Sequence, residues 1–108
     1  MSSGAANFRT EGFLHEVVNR LRALSFKEIA KWPEYPDKPD INLHVPAELA
    51  DYTFTLMKDT LPDGDIRIGI QCYRHGFLGT GRMTVDGFVV SSDGRMRSLN
   101  DQDVWDLT

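Results

Sequence analysis

Residues 65–99 constrain the fold more than any other stretch. Ile66, Ile68, Ile70 and Cys72 alternate with Arg67, Gly69, Gln71 and Tyr73, the period of two expected when one face of a strand packs on a core and the other meets water. Two glycine-punctuated strands follow. A sheet with one apolar face has to bury it against a second layer, so the remainder of the chain must supply that cover.

The N-terminal part carries it. Phe13, Leu14, Val17, Val18, Leu21 and Leu24 recur at three- and four-residue intervals, with Glu11, Glu16, Asn19, Arg20 and Arg22 between them. This is an amphipathic helix, expected over residues 11–24. Ser25-Phe26-Lys27-Glu28 has the spacing of a capping box, with Leu24 and Ile29 as its hydrophobic staple. A second, short helix is therefore expected over 26–31, ending where Pro33 disfavours helical geometry in Trp32. Three prolines at 33, 36 and 39 then allow neither helix nor central strand, so this stretch is an extended connector.

Residues 46–58 are ambiguous, because Leu49, Tyr52, Thr53, Leu56 and Met57 have helical spacing while Tyr52, Phe54 and Leu56 alternate. Leu61-Pro62-Asp63-Gly64-Asp65 breaks the tie, being turn chemistry suited to joining two antiparallel strands. Further on, the apolar alternation slips one place across Asp86-Gly87. A bulge or a tight turn would each account for it; the bulge is preferred, since Ser92-Asp93-Gly94 supplies a turn soon after. The expected fold is α+β: the two helices packed on an antiparallel meander of about four strands, at 52–60, 65–74, 82–91 and 95–99. Residues 1–6 are expected to be disordered and 7–108 to form one domain. Val104, Trp105 and Leu107 are expected to fold back on the body, with Asp101, Asp103 and Asp106 a solvated acidic face.

A chain of 108 residues that is 41% hydrophobic can bury roughly two thirds of its unfolded surface and fold without disulfides or a structural metal. Cys72 has no second cysteine to pair with. No secretory signal or long apolar run is legible, so the cytoplasm is the expected compartment and no membrane partner is expected. The net charge of −4 argues against nucleic acid, whose binding needs a concentrated basic face. Arg67, Arg74, Arg82, Arg95 and Arg97 do cluster late, and read as a solvated sheet face that keeps strand edges apart.

Signals for chemistry are weak. Gly76, Gly79 and Gly81 lack the Gly-Lys-Ser/Thr ending of a phosphate loop and precede a strand rather than a helix. Cys72 and His75 lie three apart on a strand and so project to opposite faces; Cys72 shares the isoleucine face and reads as core. His15, His44 and His75 have no metal-ligand spacing, and neither metal nor cofactor is expected. The expected function is a small non-catalytic binding or regulatory domain, a class of which an acidic inhibitor or immunity-type protein is one instance, acting on a protein partner or on a second copy of itself. Trp32, Tyr35, Phe77 and Leu78 are its candidate interface residues. The alternative is a cone-shaped ligand-binding or enzymatic domain with a pocket between helix and curved sheet, for which His44, Tyr73, His75 and Asp86 would supply the polar groups.

Overall fold

The computed structural model describes the backbone of residues 3–75 and 81–108, with side chains from 9–74 and 83–108. Helix α1 (Ser3–Arg22) is followed by α2 (Phe26–Ala30), the proline connector, a 3-10 turn (Ala47–Leu49), strands β1 (Tyr52–Thr60), β2 (Ile66–His75), β3 (Gly81–Val90) and β4 (Met96–Ser98), and a third helix, α3 (Asp101–Leu107). The strands form one antiparallel sheet in the order β1-β2-β3-β4. Helix α1 thus starts ahead of the Glu11 expected from periodicity. The ambiguous stretch divides at Asp51, with one 3-10 turn before it and strand after.

Local chemistry sets these boundaries. Ser25 Oγ accepts the Glu28 N–H at 3.1 Å while Glu28 Oε1 accepts the Ser25 N–H at 3.4 Å, which closes the capping box at the start of α2. The loops 61–65 and 91–95 repeat one design. Leu61 N–H donates to Asp65 O and Ser91 N–H to Arg95 O, both at 2.8 Å, and Gly64 (φ 92°) and Gly94 (φ 88°) take the left-handed conformation that each turn needs.

Phe13, Leu14, Val17, Val18 and Leu21 of α1, with Ile29 of α2 and Leu49, pack on Leu56, Ile66, Ile68, Ile70, Cys72, Phe88 and Val90. The isoleucine face is covered as its alternation requires. Phe13 meets Phe54 edge to face, ring centroids 5.0 Å apart, and Arg22 lies 5.4 Å over the Phe88 ring.

Three expectations need correcting. The β2–β3 register runs without interruption through Ile70↔Asp86, Gly69↔Gly87 and Ile68↔Phe88, so Asp86-Gly87 is neither bulge nor turn. The apolar pattern changes phase because Met83, Val85 and Val89 lie on the face away from α1 while Phe88 and Val90 lie on the α1 face, and Val89 is buried as they are. What buries that second face is α3. Leu107 lies against Gly69, where an added Cβ would fall 2.7 Å from Leu107 Cδ1. Asp103 is likewise buried rather than solvated, and Trp105, expected to pack inward, is 77% exposed. Spacing explains the reversal: Asp103 and Leu107, four apart, share the helix face that meets the sheet, and Trp105 falls opposite to it.

Candidate functional site

The side chains that hold α3 to the sheet define the most organised polar site. Arg67, on the α3 face of β2, is only 7% exposed. Its Nε donates to Asp59 Oδ1 at 3.0 Å and its Nη2 to Asp59 Oδ2 at 2.5 Å. These form a two-pronged bridge to the residue directly opposite it in β1. Its Nη1 donates to Asp103 Oδ1 at 3.2 Å and to Asp106 Oδ2 at 2.9 Å. One guanidinium thereby joins three carboxylates from two elements. Arg97 Nη1 donates to Asp103 Oδ2 at 2.7 Å and completes the network. Arg67 is therefore no part of a solvated face.

Asp103 also caps its own helix. It accepts the Asn100 N–H at 3.0 Å, and its N–H donates to Asn100 Oδ1 at 2.8 Å. Burial pushes its carboxyl up, but hydrogen bonds from Arg97, the Asn100 N–H and Arg67 outweigh that and hold it below the usual carboxylate range. The Arg67 hydrogen bond lowers Asp106 in the same direction. Arg67 itself is raised, first by its bond to Asp59.

Beside this network lies a cleft of about 310 Å³ lined by Tyr35, Met57, Asp59, Arg67, Gln71, Asp106, Leu107 and Thr108. Gln71 Nε2 donates to Leu107 O, which ties two of these lining residues together. Every donor of Arg67 named above is aimed at a carboxylate, so the cleft offers a ligand the outer edges of Asp59 and Asp106 and the ring of Tyr35, which is 56% exposed.

The connector reaches the cleft through a second buried cation. Lys58, buried on the α1 face of β1, donates Nζ to Trp32 O at 2.9 Å and to Ala30 O at 3.3 Å and pairs with Glu34 Oε2 at 2.5 Å. It thus sits at the C-terminal end of α2, where a cation suits the helix dipole. The Lys58 hydrogen bond lowers the Glu34 carboxyl below its usual range.

The residues named from sequence are dispersed. His44 is exposed on the connector with φ 55°, its N–H donating to Asn42 Oδ1 at 2.8 Å. Tyr73 lies opposite Thr53 and Met83 on the α3 face. Asp86 lies on the α1 face, with Oδ1 accepting the Gly87 N–H at 2.8 Å and Oδ2 3.8 Å from His15 Nδ1. His75 ends β2, and its side chain, like Phe77 and Leu78, lies outside the described residues. Trp32 packs partly buried against the core, whereas Tyr35 borders the cleft. Cys72 is buried, which raises its thiol. Among the described residues no group of three His, Cys, Asp or Glu side chains is placed to hold a metal ion, and no helix is long and apolar enough to cross a membrane.

Sequence reasoning missed Arg67, Asp59 and Asp103. The available signal was Asn100 three residues before Asp103, a capping-box spacing with aspartate in place of glutamate. Compared with protein-family models, curated proteins and solved structures, the chain matches none.

Proposed function

We propose that this chain is a small non-catalytic binding or regulatory domain, of the acidic inhibitor or immunity kind, that meets a protein partner through the α3 side of its sheet. One observation carries the reading: Trp105, 77% exposed, stands on the helix whose next residue, Asp106, forms the cleft wall together with the exposed ring of Tyr35. Large aromatics supply most of the energy of protein contacts, and a solvent-facing tryptophan on a short helix has no local packing role. Asp59 and Asp106 at the cleft, with a net charge of −4, suit a partner with a basic surface. With Cys72 as its one cysteine, we assign the domain to the cytoplasm.

The ligand-binding cone has less support. Its pocket belongs between helix and sheet, where Leu14, Val17, Ile68, Ile70 and Phe88 are fully buried against one another.

A photo-crosslinking residue placed at 105 or 35, with position 16 on the far side as control, tests the reading. A protein adduct formed from 105 and 35 but not from 16 supports it. Equal labelling from all three positions overturns it, as does a small molecule retained by the purified chain in native mass spectrometry.

A further inference from the structure

The two edges of the sheet are treated differently. Along β1 the chain covers its own edge: Tyr35 N–H donates to Lys58 O at 2.9 Å, and Thr60 N–H donates to Glu34 Oε1 at 2.9 Å. Along β3 the described residues do not. β4 pairs only with Phe88, Val89 and Val90, so from Gly81 to Gly87 the outer side of β3 has no strand beside it among the described residues. The Ser91 N–H bond to Arg95 O fixes the phase of the ladder, because hydrogen-bonded residues alternate along an antiparallel strand. Gly81, Met83, Val85 and Gly87 accordingly turn their main-chain groups outward. Among the described residues the Gly87 N–H has a partner of its own, the Asp86 carboxylate.

We propose that a second copy of this chain pairs antiparallel on this edge, β3 to β3, about a two-fold axis at Thr84. The open stretch begins at the first residue of β3 and stops at Phe88, where β4 takes over. Thr84 is its midpoint, so pairing about that residue uses all of it. In this register Met83 stands opposite Val85, a hydrogen-bonded pair by the phase above, and Gly81 stands opposite Gly87. Arg82 stands opposite Asp86, and the symmetry makes that opposition of charge twice.

Neighbouring registers lose this match. An axis at Val85 sets Arg82 against Phe88, whose outer side β4 already holds, and an axis at Met83 sets Asp86 beyond the start of the strand. On the face away from α1, Met83, 40% exposed, and the half-buried Val85 would cover one another across the axis. On the other face Asp86 Oδ1 accepts the Gly87 N–H and Oδ2 lies 3.8 Å from His15 Nδ1, the one basic side chain paired with it among the described residues. The edge carries no proline and no lysine, the usual protections against strand pairing. Closed two-fold symmetry is the commonest among soluble homo-oligomers.

This contact is separate from the α3 surface, and sedimentation velocity distinguishes the two. The wild-type chain is expected to pass from monomer to dimer across a hundredfold concentration range spanning micromolar. Val85→Pro removes an outward N–H and leaves the β2 ladder intact, so it should melt cooperatively and sediment as a monomer throughout. Should that variant not fold, the charge pair decides: Arg82→Asp and Asp86→Arg alone should each weaken the dimer at least tenfold, and the two together should restore it. A wild-type chain monomeric over the whole range overturns the inference, as does a Val85→Pro dimer of unchanged affinity or a double variant no tighter than the singles. Crosslinking from position 105 reports on the α3 surface whichever way this result falls.

Discussion

Replacing Arg67 by methionine tests the structure at its most loaded point. Removing one partner from a buried ion pair costs about 3–5 kcal/mol, because the remaining charge is left desolvated. Here the cost falls unevenly. The Asp59 and Asp106 side chains are 35% and 39% exposed, so water replaces much of what Arg67 gave them. Asp103 is buried but keeps Arg97 and the Asn100 N–H. The expected loss is therefore about 3 kcal/mol, at the lower end of that range, against a total stability of ~5–15 kcal/mol. Urea unfolding at neutral pH measures it, and hydrogen exchange locates it. Residues 101–107 should lose protection first, since a seven-residue helix does not persist without its docking contacts. The pH dependence gives an independent check. The Asp103 and Asp106 carboxyls lie below their ordinary 3.8 and Glu34 below 4.5, so the unfolded chain binds more protons in acid. Stability is full above about pH 5 and is lost as pH falls through those values toward the lower folded ones. In Arg67→Met the shares of Asp103 and Asp106 shrink, and the slope between about pH 5 and pH 3 should be shallower. A variant within about 1 kcal/mol of wild type, with an unchanged acid slope, would refute the view that Arg67 holds α3.

Leu21→Asp and Ile68→Asp each bury a carboxylate between α1 and the sheet, and should leave the chain insoluble or without a cooperative melt. Gly87→Ala should be far worse than Gly69→Ala in thermal melts: a Cβ at 87 would fall 2.0 Å from Ile68 O, a backbone atom, whereas one at 69 meets the movable end of Leu107 at 2.7 Å. Cys72, buried and raised in pKa, should react slowly with thiol reagents in native buffer and quickly in denaturant, and Cys72→Ala should fold; rapid native labelling would contradict its place in the core.

Local signals carried most of the architecture. The spacing of Phe13 to Leu21, the Ser25 to Glu28 box and the Pro62-Asp63-Gly64 turn each act within a few residues, and every element they announce is present, with strand limits within a residue or two. The failures have one origin. Periodicity assumes that a sheet has one wet face, and this sheet is covered on both near Gly69 and Val89. A covered second face turns Val89 from an out-of-phase residue into a core one, and a flanking arginine into a buried one. The candidate site was less legible, because Arg67 and its partners at 103 and 106 are 36 and 39 residues apart and no rule of spacing joins them.

The two segments whose placement was least readable, the connector and α3, are each anchored by one buried cation from adjoining strands. Lys58 points to the α1 face and receives the connector through Trp32 O and Glu34. Arg67, opposite the next residue of β1, points to the other face and receives α3 through Asp103 and Asp106. Neither segment has enough apolar surface to define its seat. The connector contributes the partly buried Trp32, Ile41 and Leu43, and α3 contributes Leu107. Apolar contacts of that size hold a segment down without selecting one register. A charge that must be paired selects it, because every other placement leaves a desolvated cation in the sheet. The two anchors bring Tyr35 and Asp106 to the same cleft, so the surface proposed for recognition is assembled by the sheet's own buried charges. Disturbing Lys58 should therefore displace Tyr35 while leaving α3 protected in hydrogen exchange, and disturbing Arg67 should do the reverse.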